Sequence, residues 1–85
     1  MKTIQYTITD REGIHARPAG LLVKQANKFE SAITIRKGEK SADAKRIFAV
    51  MGLAAKQNEE ITVTAEGRDE EAAIAAIETF LKANM

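Results

Sequence analysis

Ile4, Tyr6 and Ile8 alternate with Gln5, Thr7 and Thr9, which predicts a strand over residues 2–9 with one face toward a core. The charged run Asp10-Arg11-Glu12-Gly13 has turn chemistry and ends it. Leu22, Ala26 and Phe29, with Val23 between them, then recur at a spacing of three to four, which predicts a helix over about 16–28. Its polar face carries Lys24, Gln25 and Lys28. Period two returns at 32–37, with Ile33 and Ile35 inward and Thr34 and Arg36 outward. Gly38 suits a turn that needs positive φ, and a weakly apolar strand at 41–43 reads as an edge.

The second half repeats the alternation of patterns. Ile47, Val50 and Met51 have helical spacing that Ala54 extends, predicting a two-turn helix at 46–53. Asn58 can take the left-handed conformation in the turn that follows. Ile61, Val63 and Ala65 predict a last strand closed by Gly67. Ile74, Ile77 and Leu81 then give the buried stripe of a final helix, with Ala73 and Phe80 beside it, Asp69 as its cap, Glu70 and Glu71 in its first turn and Lys82 near its end. Strands that share one apolar face need cover on that face. The expected fold is therefore a two-layer α/β (α+β) open-faced sandwich, β-α-β-β-α-β-α, with three helices on one side of a four-stranded sheet.

The short helix carries more apolar surface than so small an element buries. Val50 and Leu53 are assigned to the core. Ile47, Phe48 and Met51 are assigned to a partly exposed patch that docks a partner.

Composition narrows the function. The 85 residues make one domain with one small core. Thirteen basic against twelve acidic residues, a formal charge of +1, do not suggest a nonspecific nucleic-acid binder. A small module of that kind, built around Arg36, Lys37 and Lys40, is the weaker alternative, because the aromatic residues form no stacking motif. There is no cysteine and only one histidine, so neither a metal site nor a cofactor is expected. The first residues do not read as a signal peptide and no run has membrane-spanning length, so a cytoplasmic location without membrane insertion is expected.

The single histidine, His15, stands just before the first helix, and Pro18 fits that helix's first turn. First-turn amides have no partner within a helix and favour an anion, so those of Ala16 and Arg17 could meet a phosphoryl group on the imidazole. The Arg17 guanidinium could grip its oxygens bidentately. No serine or threonine stands at 14–19 to cap the helix with a hydroxyl.

Gly13-Ile14-His15-Ala16-Arg17-Pro18-Ala19 resembles the active-site signature of the histidine-containing phosphocarrier proteins of the bacterial phosphoenolpyruvate-dependent sugar phosphotransferase system. The likeness runs nearly the whole chain and includes Lys45, Phe48, Ala65-Glu66-Gly67 and Asp69-Glu70. The resemblance implies a mainly antiparallel sheet in the order one, four, two, three. It implies phosphorylation of His15 on its δ nitrogen, with Arg17 stabilising the phosphohistidine, in a carrier that is not a stand-alone turnover enzyme. It implies enzyme I as donor, enzyme IIA-type domains as acceptors and a monomeric protein, and it places partner contacts on the short helix. Lys24, Lys28, Lys45 and Arg46 would add charge attraction for acidic partners. The sugar, nitrogen-related and glycerone kinase branches stay open as downstream acceptors, as does a regulatory relative that binds without transferring. Position 46 departs from the family habit of serine, which removes a kinase target and a hydroxyl cap from the short helix.

Overall fold

The computed structural model describes residues 1–85. The elements run β1 (Lys2–Thr7), α1 (Ala16–Ala26), β2 (Ala32–Lys37), β3 (Lys40–Asp43), α2 (Ile47–Gly52), β4 (Glu60–Glu66) and α3 (Glu70–Asn84). The sheet order is β1-β4-β2-β3, and every neighbouring pair is antiparallel. Ile4 stands opposite Val63, and Val63 opposite Ile35, so one apolar row crosses three strands.

The expected open-faced sandwich is what forms. Ile33, Ile35, Ile61 and Val63 are almost wholly buried beneath Ala19, Leu22 and Ala26 of α1, Val50 of α2, and Ala73, Ile77 and Leu81 of α3. Ile4 and Tyr6 pack against this core while staying half-exposed. On the other face Thr34 and Arg36 are exposed, and Thr62 and Thr64 are half-exposed. The alternation of β2 and β4 is that of a sheet with one wet side. Gly38 and Asn58 both take positive φ, as their turns require.

Three local expectations are corrected. Helix α1 stops at Ala26 because the Asn27 side chain turns back onto the Val23 carbonyl at 2.9 Å and also reaches the Lys45 carbonyl at 3.3 Å. Helix α2 stops at Gly52, and Ala54, instead of extending it, takes φ +51°. Its carbonyl is turned to accept from Lys37 Nζ at 3.1 Å.

The third correction concerns Asp69, which stands at the N-cap of α3 but makes no side-chain cap. Its backbone lies outside the extended region that a capping residue uses. The carboxylate instead accepts from the Glu30 and Ser31 amides, both at 2.9 Å, and from the Ser31 hydroxyl. The Ser31 hydroxyl first, then the Glu30 amide, hold the Asp69 carboxyl below its ordinary value. This ties the start of β2 to the start of α3. The end of β4 is served by Glu70, whose carboxylate reaches back to the Gly67 amide at 3.1 Å.

Candidate functional site at the start of the first helix

His15 is the N-cap of α1, with extended backbone at φ −123° and ψ −176° and no side-chain cap bond. Its carbonyl closes the first helical turn by accepting from the Ala19 amide at 2.9 Å. The Ala16 and Arg17 amides find no acceptor in the chain, and Pro18 has no amide to offer. Two N–H groups are therefore unspent at the positive end of the dipole. Pro18 is buried, while Ala16 and Arg17 are exposed. The Arg17 guanidinium makes no ion pair within the chain.

The turn before the helix is pinned from both sides. Asp10 Oδ1 accepts from the Glu12 amide at 2.8 Å, and the Asp10 carbonyl accepts from the Gly13 amide at 3.0 Å. The Ile14 amide then donates to the Ala55 carbonyl at 2.9 Å, and the Ile14 side chain enters the core. Gly13 at φ +67° makes this approach possible. A Cβ there would collide with the Ala55 carbonyl oxygen and lie 2.8 Å from Lys56 Cα. The His15 ring stands on this base with its side chain 38% exposed.

Sequence reasoning missed several residues around the ring. Glu12 Oε2 lies 3.1 Å from His15 Nε2. Asp10 and Leu21, with Ala83 and Asn84 from the end of α3, line a cleft with His15, Arg17 and Pro18. Leu21 left a signal, because an apolar residue next to Leu22 falls off the buried stripe of α1, and it is 43% exposed. Glu12 left none beyond its charge. Asn84 is brought to the site by the tertiary fold.

The apolar residues of α2 divide largely as their excess implies. Val50 and Leu53 are buried and Phe48 is 84% exposed. Ile47 and Met51 are half-buried against the core, so Phe48 alone projects fully. Gly20 of α1 faces Ile47, which joins the short helix to the helix that carries His15. Lys24 on α1 and Lys28 in the turn after it are both exposed. Lys45 is half-buried, and its Nζ donates to the Phe29 carbonyl at 2.8 Å. Arg46 is the N-cap of α2 without a capping bond. No neighbour supplies a replacement cap to the short helix, since Asp43 Oδ1 accepts from the Lys45 amide instead and Ser41 makes no side-chain bond. No helix is long and apolar enough to cross a membrane, and no cluster of acidic, histidine or cysteine side chains has the makings of a metal site.

Known proteins share both the sequence and this architecture. The phosphocarrier protein HPr of Lysinibacillus sphaericus is 52% identical over 81 residues, covering 95% of this chain and 92% of that protein. A histidine-containing phosphocarrier protein from a mycoplasma superposes with a TM-score of 0.94 at 44% identity, covering 96% of this chain and 93% of the other. An HPr from Thermoanaerobacter tengcongensis, solved as a dimer, superposes with a TM-score of 0.78 at 40% identity, covering 98% and 95%. The family model described as the PTS HPr component phosphorylation site matches residues 2–83, and with relatives this close the chain belongs to the HPr phosphocarrier family of the phosphotransferase system.

Proposed function

We propose that this protein carries a phosphoryl group on His15 Nδ1, taking it from enzyme I and passing it to an enzyme IIA-type domain that serves sugar uptake. The observation that carries the reading is the exposed imidazole at the N-cap of α1 with two unspent amides, of Ala16 and Arg17, beside it. A neutral imidazole nitrogen is a nucleophile near neutral pH. Its lone pair forms the bond to phosphorus while the donor's bond to phosphorus breaks and its electron pair stays with the donor. The amides and the Arg17 guanidinium then meet the oxygens. No enclosed substrate pocket is required, because both reactants arrive on other proteins. The cytoplasm is the compartment that fits this exchange.

Incubation with phosphoenolpyruvate, magnesium and enzyme I tests the reading directly. Intact-mass analysis should find one added phosphoryl group, labile in acid and stable in base. Arg17→Lys refines the test. It should leave stability within about 0.5 kcal/mol, because the side chain is exposed and unpaired. It should slow transfer about ten-fold or more, since losing one charge-assisted hydrogen bond of the fork is worth about 1.5 kcal/mol. Equal rates in stopped-flow transfer at matched stability would remove the guanidinium from the mechanism.

Docking falls to α2 and its surroundings. Phe48 anchors the patch, flanked by the half-exposed Ile47 and Met51. The cations Lys24 and Lys28, on and just after α1, and Lys45 and Arg46, just before α2, attract an acidic partner surface. Phe48→Ala should change folding stability by no more than about 0.5 kcal/mol, because a side chain 84% exposed has little packing to lose. It should weaken enzyme I binding by about 1–2 kcal/mol, as truncation of an aromatic anchor does. Urea unfolding and titration calorimetry separate the two. A destabilisation of several kcal/mol with unchanged affinity would return Phe48 to the core.

A further inference from the structure

We infer that Glu12 is a positioning residue for the phosphoryl acceptor, holding His15 as the tautomer with its proton on Nε2 and keeping that proton there through transfer. The inference rests on the reading of His15 as the acceptor. It starts from the 3.1 Å approach of Glu12 Oε2 to His15 Nε2. An ionised carboxylate only accepts hydrogen bonds. The ring nitrogen that faces it must therefore be the one carrying hydrogen. In a neutral imidazole this leaves the lone pair on Nδ1, because the hydrogen bond made by one ring nitrogen settles the state of the other.

The placement of Glu12 is built into the turn. Its backbone is fixed by the Asp10 side chain through its own amide and by the Asp10 carbonyl through Gly13. Gly13 lies so close to the Ala55 and Lys56 backbone that even a Cβ there would collide, and the Ile14 amide that follows it is bonded to the Ala55 carbonyl. The carboxylate makes no other ion pair and no side-chain hydrogen bond competes for it. The other charged groups at the cleft are Asp10, whose Oδ1 is taken by the Glu12 amide, and Arg17, which is unpaired. The α3 side of the cleft contributes only the uncharged Ala83 and Asn84.

The chemistry gives this arrangement a use in both directions. When Nδ1 forms its bond to phosphorus, Nε2 keeps its hydrogen and the ring becomes cationic. Glu12 faces that cation on the edge remote from the phosphoryl oxygens, which Arg17 and the two amides meet on the other. When an acceptor nucleophile takes the phosphoryl group, the N–P bond breaks and its electron pair returns to Nδ1. The ring leaves as a neutral imidazole with its proton still on Nε2, so transfer needs no proton from solvent at that nitrogen.

The test reads the ring itself. Nitrogen-15 NMR of the unphosphorylated protein, at a pH where the imidazole is neutral, reports the tautomer from the shifts of Nδ1 and Nε2. Wild type should be held in the Nε2–H form, Glu12→Ala should relax toward a mixture, and Glu12→Gln should restore the bias because its amide oxygen still accepts. Phosphoryl uptake from enzyme I should fall about two- to five-fold in Glu12→Ala, the range an exposed charge pair commands. Uptake in Glu12→Gln should recover in part. An unchanged tautomer ratio in Glu12→Ala, with normal loading of wild type, would overturn the role of Glu12 alone. Failure of wild type to load at His15 would overturn the carrier reading, and the positioning role with it, whatever the tautomer spectra show.

Discussion

His15→Ala should abolish phosphoryl uptake and leave the fold intact. His15 is the only histidine in the chain and there is no cysteine, so no second soft nucleophile can replace it. The two serines offer no substitute of the same chemistry. Ser31 is buried and donates to Asp69, and a phosphate on Ser41 would be an ester, not an acid-labile phosphoramidate. The ring makes no capping bond, so its removal takes nothing from α1, and stability should stay within about 0.5 kcal/mol. The backbone carbonyl that accepts from Ala19 remains. With phosphoenolpyruvate, magnesium and enzyme I, intact-mass analysis should show one acid-labile phosphoryl group on wild type and none on the variant. Equal modification of both proteins would remove His15 from the chemistry.

Gly13→Ala should be the most damaging single methyl group near the site. The residue holds φ +67°, which an alanine tolerates poorly. The added carbon would collide with the Ala55 carbonyl oxygen, and the nearby Lys56 Cα is backbone that cannot swing aside as a side-chain tip does. Relief requires the turn to move off the segment that precedes β4, which breaks the bond from the Ile14 amide to Ala55. Strain and the lost bond together should cost about 2–4 kcal/mol, read as a lower urea midpoint at unchanged slope. The folded fraction should also load phosphate more slowly, because Glu12 and His15 lie on either side of the displaced residues. A variant with wild-type stability would show that the α2–β4 segment yields more easily than its backbone contacts imply.

Much of this fold is written in period. Alternation at Ile33 and Ile35 and at Ile61, Val63 and Ala65 is enough to place β2 and β4, because a one-residue slip would turn their apolar faces to water. His15 and Arg17 could be singled out from their place before the first helix and from the family signature they complete, and Phe48 from the apolar excess of its short helix. What escaped the sequence depends on partners distant along the chain. Asp69 looks like a cap until the amides of Glu30 and Ser31 are brought to it. Ala54 is not a turn former, yet it takes positive φ, and its carbonyl accepts from Lys37, which is distant along the chain. The final helix turns slightly from its expected stripe, burying Ala73 and Phe80 and leaving Ile74 half-exposed, because the sheet beneath decides which face is inner. Strand order lies beyond periodicity altogether, and it came from the family likeness.

That order has a consequence for how the protein emerges during synthesis. β4 is the internal strand that bonds both β1 and β2, yet it is the last strand made. Lys2 waits for Ala65, and Thr7 for Glu60. Until those residues leave the ribosome, the only ladder the nascent chain can close is the local hairpin of β2 and β3. β1 meanwhile remains an unpaired strand with Ile4 and Tyr6 in water, the condition in which strands seek pairing with other chains. His15 is translated early, but the Ala55 carbonyl that anchors its turn and the Asn84 that borders its cleft come much later. A ribosome stalled before β4 therefore holds the complete Gly13–Ala19 motif on a chain that has not yet formed the cleft around His15, and folding is gated by the arrival of the strand that closes the sheet.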